Sequence, residues 1–517
     1  MAIREQHADT ARRAGRTRRL REGLATGWTL PRLGRVGLAA TALITLGSFG
    51  AGALPANDPT RHIPVIGLLR HGEAGLRTAL AFYYLGLALL IIVWLLLGRL
   101  LLTGSAGGEA EAGREVVDPG VLRRWLIRWM LPLLVGMPLA SMDLYSYAAQ
   151  AQLAKHGFNP YVATPADLPG KFLDNVAWKW VDTPSPYGPL WVSVSRWVAA
   201  ITGNHALISV LLLRLLPFAG IVVIAFLLPG IAGLFGRRAD LALWLAVANP
   251  LVLVHGVGGG HNDAVMVAFI VAGLAVVLRP NATLRHLAGA AALMTLAAAI
   301  KAPGAIALGF VVPIYLARTC SARPRDWLRC CGLVLAVCVP VFAAVSLIAG
   351  VGLGWAKQVS PAVPVINFMS IPTVLAVGYR AAIGAAHPGT YVDATVRAFR
   401  RVGTVVSGIV VVGLWWRALR EQAMQLLALA LVVIVVLGPA VQPWYFTWAL
   451  TIAAVFVVAP RQVSWIAMVS IALTLLVRPM GSGLELAPYV PAVLAAGLAS
   501  RALLGPVAAR AGRHDTS

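Results

Sequence analysis

Long apolar runs constrain this chain more than any other feature. They are about 15 to 25 residues long, close to what a helix needs to cross a bilayer, and they recur from Leu33 to Leu503. Hydrocarbon offers no partner for backbone N–H or C=O groups, so such runs can cross it only as helices. Charged residues make up 12% of the 517 positions, against about 25% in soluble domains. The sequence therefore predicts an all-α polytopic membrane protein.

The placement of arginine predicts the orientation of these helices. Eight arginines lie between Arg4 and Arg32, ahead of the first apolar run. Because cytoplasmic segments carry an excess of Lys and Arg, we expect this tail to stay in the cytoplasm. No small-residue cleavage site follows the first run, so the tail is not interpreted as a signal peptide. We therefore attribute the formal net charge of +23 to the orientation of the chain in the membrane, and we expect no nucleic-acid partner.

Alternation from this tail predicts a bundle of about 12 to 14 transmembrane helices. The predicted spans are residues 33–54, 78–102, 125–142, 207–234, 240–254, 264–279, 285–300, 304–318, 329–350, 400–416, 424–441, 443–459, 463–478 and 486–503. Two further apolar stretches, Tyr187–Thr202 and Ile371–Ala386, would need both ends on the outer side. We expect them to be helices in or re-entering the outer interface, the first of them within the first long outer loop.

Asp143 is the first candidate for chemistry. It stands where the long outer loop leaves its predicted span. A charged carboxylate so close to the hydrocarbon of the bilayer is energetically costly, so its presence there suggests a function. From there it can face both lipid headgroups and water, which suits a general base. Asp is also a favoured helix N-cap, and a helix beginning at Leu144 would give Asp143 that role instead. Both interpretations stay open at the level of the sequence.

The run Gly258-Gly259-Gly260-His261-Asn262-Asp263 is the second candidate. It combines bare backbone amides, an imidazole, an amide and a carboxylate at a predicted helix start, which suits a hydroxyl-rich or anionic ligand. A tight turn capped by Asn262 or Asp263 is the alternative.

Other candidates lie at the outer ends of later spans. Lys301 and Arg478 are isolated cations there, and the cost of desolvating them favours an anionic partner such as a phosphate. Snorkelling to lipid headgroups would also explain them. Gln442, Trp444 and Tyr445 belong to a segment whose aromatic rings could stack on a pyranose or pack against polyprenyl, or anchor the chain in the aromatic belt.

Five motifs in sequence order carry a family resemblance. They are Met142-Asp143-Leu144-Tyr145-Ser146-Tyr147, Gly157-Phe158-Asn159-Pro160-Tyr161, Ser185-Pro186-Tyr187-Gly188-Pro189-Leu190-Trp191, Gly260-His261-Asn262-Asp263 and Gln442-Pro443-Trp444-Tyr445. Together they resemble the actinobacterial polyprenol-phosphomannose-dependent α-1,6-mannosyltransferases, membrane enzymes of the GT-C type, over about residues 125 to 480. With the spans, this suggests a cytoplasmic tail (1–32), two N-terminal spans with an inner loop (33–124), a GT-C-like catalytic domain (125–503) and a second cytoplasmic tail (504–517).

The resemblance implies roles for the candidate residues. Asp143 matches the carboxylate that the family keeps in its first long outer loop, and is expected to be catalytic. The expected substrate-binding residues are Tyr147, Tyr187, His261, Asn262, Asp263, Lys301, Gln442, Trp444, Tyr445 and Arg478. Many relatives carry two adjacent acids where this chain has Met142-Asp143-Leu144, so a metal site in this loop is in doubt. We expect neither a metal nor another cofactor.

The implied reaction is inverting transfer of mannose from polyprenyl-phosphomannose to a lipid-anchored mannan, forming an α-1,6 linkage in a lipomannan- or lipoarabinomannan-type cell-envelope glycan. It would take place on the outer, periplasmic face of the plasma membrane, among membrane lipids. A transporter or flippase of lipid-linked sugars is the rival hypothesis, because carriers also combine many spans with intramembrane charges. A scaffold that binds lipid-linked glycans without chemistry is a third.

Overall fold

A computed structural model describes residues 28–103, 116–319, 323–358, 365–387, 389, 391–457, 459–481 and 489–514. Within these residues every regular element is helical, so the predicted all-α class is confirmed. The arginine-rich tail before residue 28 and most of the loop before Asp118 lie outside them.

The first six helices include three that overlap the first three predicted spans, a short one between the first two of these, and two in the predicted outer loop. In chain order they are α1 (Leu30–Ala51), α2 (Pro64–Arg70), α3 (Gly72–Thr103), α4 (Pro119–Val135), α5 (Asp143–Lys155) and α6 (Pro189–Thr202).

The remaining helices complete the bundle. They are α7 (Ala206–Leu234), α8 (Ala239–Ala246), a π-helical turn (Val252–Gly258), α9 (Asp263–Val277), α10 (Leu284–Ile300), α11 (Gly304–Thr319), α12 (Pro324–Ala349), α13 (Ile371–Ala382), α14 (Ala394–Ala418), α15 (Ala423–Val436), a 3₁₀ turn (Pro443–Tyr445), α16 (Phe446–Ala453), α17 (Pro460–Leu475) and α18 (Tyr489–His514).

Each predicted span overlaps one of these helices, or a helix and an adjoining turn. By length and apolarity alone, five of the described helices could each cross a membrane: α1, α3, α7, α12 and α14. The π-helical turn and α9 would make a sixth span if counted together, although they meet at an angle of 108°. Helices α10, α11 and α15 are apolar but shorter. The chain is therefore a multi-pass membrane protein, and its number of crossings stays a prediction.

The segment that leads to Asp143 differs from the predicted span 125–142. Helix α4 ends at Val135, and the chain continues without helical structure to Met142. Pro138 explains the early end, because proline disfavours helix in the residue before it and has no N–H to donate. The fully buried Arg214 of α7 donates to the last carbonyls of α4, those of Leu133 and Leu134, at 3.3 and 2.9 Å.

Helix α5 is buried rather than spread on the membrane surface. Every residue from Leu144 to Ala154 is buried. The helix packs against α6 and α7, and the hydroxyl of Tyr145 donates to the carbonyl of Ala53 at 2.8 Å. The loop after α1 also reaches Asn175, whose side chain accepts from the backbone of Ala56 at 2.7 Å. The N-terminal helices thus help to hold the loop that carries Asp143.

Candidate active site

Asp143 is the first residue of α5, and Met142 is the N-cap. The backbone N–H of Asp143 donates to the Ser141 hydroxyl at 3.0 Å. Among the described residues no backbone N–H donates to the Asp143 carboxylate, which is 21% exposed. The interpretation of Asp143 as the cap of a helix beginning at Leu144 is therefore wrong. The carboxylate remains available to a ligand.

His261 lies next to this carboxylate. Its Nε2 atom is 3.7 Å from Oδ2 of Asp143, and its Nδ1 atom is 2.7 Å from the carbonyl oxygen of His255. A carbonyl can only accept, so this contact assigns a proton to Nδ1. The imidazole also stacks on Trp444, with ring centroids 3.6 Å apart. These contacts fix the ring so that Nε2 faces the same space as the Asp143 carboxylate.

The break between the π-helical turn and α9 delivers His261 to this position. Gly260 has φ of +68°, a left-handed conformation that glycine adopts without strain, and a side chain there would meet Leu144. Asn262 then occupies the N-cap of α9 without a side-chain capping bond. Asn262 is fully buried, and in the described part of the chain neither of its amide atoms has a hydrogen-bond partner. Such a group needs a partner that a ligand or a water molecule can supply.

Asp263 and Lys301 form a buried ion pair. Lys301 Nζ is 2.8 and 3.0 Å from the two carboxylate oxygens of Asp263. Their side chains are 14% and 3% exposed, lysine first, and the Trp448 indole N–H donates to the same carboxylate at 2.7 Å. Lys301 is therefore not the isolated cation that the sequence suggested, because Asp263 is its anionic partner; its contact with a phosphate stays a prediction. Asp263 in turn is a neutralised acid and not a helix cap.

Aromatic rings form two walls of the site. On one side Lys301 Nζ lies 4.3 Å from the ring centroid of Tyr445, and that ring stacks on Trp448 at 4.7 Å. On the other side Tyr147 packs edge-on against Tyr187 at 5.0 Å and Trp191 at 5.1 Å. Burial, followed by the charge of Asp143, raises the pKa of Tyr187 well above its ordinary value. This phenol therefore stays protonated and can donate a hydrogen bond.

The backbone next to Tyr187, in the second aromatic wall, packs closely against the residues that precede Lys301. The N–H of Gly188 donates to the carbonyl of Ile300 at 2.9 Å, and a Cβ at this glycine would collide with the backbone of Ala299. The segment that carries Tyr187 is thus packed directly on the end of α10, beside Lys301. Only glycine permits this contact.

Arg478 and Gln442 lie at the margin of the cluster. Arg478 is exposed, and the carbonyl of the following Pro479 accepts from the N–H of Ala140 at 2.8 Å, so its segment touches the residues that lead to Asp143. Gln442 is half-buried and is the N-cap residue of the 3₁₀ turn that contains Trp444 and Tyr445. We call the end of the bundle where these groups meet the site end.

The two carboxylates of the site, Asp143 and Asp263, differ in whether a cationic side chain balances their charge. Asp263 is balanced by Lys301, whereas no Lys or Arg among the described residues lies within ion-pair distance of Asp143. The site therefore offers one uncompensated carboxylate, a neighbouring imidazole nitrogen and aromatic faces. This combination can accept a proton from a sugar hydroxyl and bind sugar rings.

Two small cavities adjoin these residues. One has a volume of about 20 Å³ and is lined by His261, Asp263 and Trp444 together with apolar residues such as Ile221 and Ile224. The second, of about 10 Å³, lies between α5 and α6. Each has room for about one water molecule. Across the described residues, no group of three or more His, Cys, Asp and Glu side chains could hold a metal ion.

Three residues of the cluster were not among the predicted site residues. His255 is fully buried and accepts from His261 through its carbonyl, Trp448 donates to Asp263, and Trp191 packs on Tyr147. Trp448 follows Tyr445 by three positions at a predicted helix start, a spacing that puts both rings on one face. That signal was available, whereas nothing in the sequence linked His255 to His261 through a backbone atom.

Comparison with known proteins identifies the family. Residues 34–317 match the family described as alpha-(1->6)-mannopyranosyltransferase, N-terminal domain, and residues 372–505 match the MptB C-terminal domain. An alpha-(1->6)-mannopyranosyltransferase A of Mycobacterium tuberculosis is 34% identical over 87% of this chain and 84% of its own length. The Corynebacterium glutamicum protein of the same name is 29% identical over 80% and 86%. No solved structure matches the chain significantly. The chain therefore belongs to the actinobacterial alpha-(1->6)-mannopyranosyltransferase family.

Proposed function

We propose that this protein transfers mannose from polyprenyl-phosphomannose to a mannoside acceptor, forming an α-1,6 linkage with inversion at the anomeric carbon. The carboxylate of Asp143 is the observation that carries the proposal. It is accessible, has no cationic partner among the described residues, and lies 3.7 Å from the fixed imidazole of His261. Relatives similar over most of the chain are named for α-(1→6)-mannopyranosyl transfer.

The chemistry requires one base. The acceptor oxygen attacks the anomeric carbon as the bond from that carbon to the phosphate oxygen breaks, and the hydroxyl proton passes to Asp143. Polyprenyl phosphate leaves with the electron pair. A phosphate is already a good leaving group, so the protein contributes mainly by orienting the acceptor, removing the proton and stabilising charge on the phosphate.

The surrounding residues orient the sugars. Tyr187 can donate to a sugar oxygen, and Tyr445, held by Lys301 and Trp448, offers an aromatic face. The unpartnered amide of Asn262 and the Nε2 atom of His261 supply further polar contacts. The Asp263–Lys301 pair supports this wall and adds no net charge to it.

Arg478 is the residue proposed to contact the phosphate of the donor. We expect Arg478→Met to reduce kcat/KM for the donor by about 10- to 100-fold and to leave KM for the acceptor nearly unchanged, because hydrogen bonds to charged groups contribute about 1.5 to 3 kcal/mol. Steady-state kinetics with each substrate varied in turn would measure this. Arg77→Met is the control, since Arg77 is an exposed arginine paired with Glu73. Unchanged donor kinetics in Arg478→Met would assign Arg478 to headgroup anchoring.

The acceptor proposed is a lipid-anchored mannan of lipomannan or lipoarabinomannan type, met on the periplasmic face of the plasma membrane. The arginine distribution along the sequence supports this orientation.

One experiment tests donor, linkage and orientation. Sealed membrane vesicles of both orientations would carry labelled polyprenyl-phosphomannose, and a short water-soluble mannoside would be added outside. We expect an α-1,6-linked product from right-side-out vesicles and little from inverted ones. Passage of labelled lipid across the membrane without a new glycosidic bond would favour the flippase hypothesis. Binding of the mannoside without either event would favour a scaffold.

A further inference from the structure

At the site end, His261 and Asp143 face each other through two atoms that can only accept a hydrogen bond. The proton on Nδ1 of His261 is donated to the carbonyl of His255 at 2.7 Å, so the neutral ring has a lone pair on Nε2. That atom lies 3.7 Å from Oδ2 of Asp143, which is too far for a hydrogen bond. A proton placed between the two atoms would give both of them a hydrogen-bond partner.

The Nε2 atom is shielded from solvent. His261 is 1% exposed, and in the part of the chain that the structure describes its Nε2 atom is buried without a hydrogen-bond partner. The Asp143 side chain, in contrast, is 21% exposed. A ligand that enters from solvent therefore meets the carboxylate before it meets Nε2. Because a buried acceptor without a donor costs free energy, a proton that reaches Asp143 also removes that cost.

The imidazole of His261 is held in this orientation by protein contacts alone. It stacks on Trp444 with ring centroids 3.6 Å apart and an angle of 18° between the planes. The hydrogen bond to the His255 carbonyl then determines which edge of the ring faces Asp143. A ring turned by 180° would put carbon atoms against both the carbonyl and the carboxylate. The orientation of Nε2 toward Asp143 therefore needs no bound sugar.

Four titratable side chains face the His261 ring among the described residues: Asp143 of α5, His255 of the π-helical turn, Asp263 of α9 and Lys301 at the end of α10. Asp263 and Lys301 neutralise each other. The ring of His255 is 6.2 Å away between centroids, and His255 contacts His261 through its carbonyl. The charge on Asp143 is thus the one that a proton on this pair would neutralise.

We propose that His261 is a second proton acceptor in the transfer reaction, so that the proton of the acceptor hydroxyl is shared between Oδ2 of Asp143 and Nε2 of His261. The inference rests on the proposed function. The acceptor oxygen bonds to the anomeric carbon, and polyprenyl phosphate leaves with the electron pair of the broken bond. The pair keeps the proton until water removes it after the product has left. Two acceptors bind this proton more tightly than one carboxylate does, which makes Asp143 a stronger base.

Two substitutions remove Nε2 and keep different parts of its surroundings. His261→Asn keeps an amide N–H for the His255 carbonyl, and His261→Phe keeps a ring that can stack on Trp444. We expect both to lower kcat about 10- to 100-fold, the usual worth of a hydrogen bond in which one partner is charged. KM for donor and acceptor should stay within about twofold, because the exposed part of the site is unchanged. Steady-state kinetics and thermal unfolding of the same preparations would measure this.

The pH dependence distinguishes proton sharing from a structural role of the ring. In the unsubstituted protein we expect kcat/KM for the acceptor to fall on acidification already above about pH 5, because the pair takes up a proton more readily than an isolated aspartate. In both His261 variants only the carboxylate remains, so this fall should move to lower pH by about 1 to 2 units. A fall near pH 4 in the unsubstituted protein, where an isolated aspartate titrates, would overturn the inference without any variant.

A double variant tests whether the effect of His261 acts through the base. In an Asp143→Asn background there is no carboxylate to share the proton, so adding His261→Asn should change the residual rate by less than about twofold. An equal loss with and without Asp143 would overturn the inference. His205→Asn is the matched control, because His205 is exposed and is the N-cap of α7 without a side-chain capping bond. It should keep both the rate and its pH dependence.

The failure of this inference differs from the failure of the proposed function. His261 variants that raise KM for a sugar and keep kcat would make His261 a sugar contact, which overturns the shared proton and leaves mannosyl transfer standing. Absence of transfer by the unsubstituted protein would overturn the proposed function, and this inference with it.

Discussion

Replacement of Asp143 by Asn is expected to lower the rate of mannosyl transfer about 10²- to 10⁴-fold, the usual contribution of a general base. Asn has nearly the same size but cannot accept the proton of the acceptor hydroxyl. The carboxylate of Asp143 accepts no backbone hydrogen bond among the described residues, and Met142 is the cap of its helix. The substitution should therefore leave stability nearly unchanged. Initial rates and thermal unfolding of the same preparation would measure both quantities.

Asp118→Asn is a matched control for this prediction. Asp118 is a true N-cap, because its carboxylate accepts from the N–H of Val121 at 2.8 Å at the start of α4. Asn is an equally good cap, so this variant should keep both stability and rate. A stable Asp143→Asn protein with near-normal transfer would exclude Asp143 as the base. Loss of stability in that variant would mean that the carboxylate has a structural role that its contacts do not indicate.

The sequence predicted which segments are helical and which polar residues lie at a common end. Asp143, His261, Asp263, Lys301 and Trp444 all came from this reasoning, because apolar periodicity and charge placement report the depth of a residue in a bilayer. Many residues have the same predicted depth in the bilayer. The same reasoning therefore also selected Arg478 and Gln442, which lie at the margin of the cluster. Position along the helix bundle is therefore predicted well from the sequence.

The sequence could not predict which residues contact each other across the helix bundle. Lys301 pairs with Asp263 over a separation of 38 residues, and Trp448 reaches the same carboxylate over 185. Which side of a helix faces which neighbour depends on packing, and no local pattern encodes it. The burial of α5 could not be predicted for a related reason: the loop after α1 and helices α6 and α7, which cover it, come from other parts of the chain.

Lys301→Met is expected to destabilise the folded protein by about 3 to 5 kcal/mol, the cost of leaving one partner of a buried ion pair without the other. The Asp263 side chain is 3% exposed, so water cannot replace the lysine. The Trp448 indole would remain as a donor but carries no charge. Thermal unfolding in one detergent should show a clearly lower Tm than for the unsubstituted protein.

The double variant Asp263→Asn with Lys301→Met separates pairing from any direct role of the lysine. Removing both charges abolishes the uncompensated carboxylate, so we expect the double variant to recover most of the lost stability, as for a coupled pair in a double-mutant cycle. Arg417→Met is the control, because the Arg417–Glu421 pair is largely exposed and exposed pairs contribute little to stability. Suppose instead that Lys301→Met kept its Tm and lost only the use of the donor. Lys301 would then bind the donor phosphate directly, and the ion pair with Asp263 would be incidental to the fold.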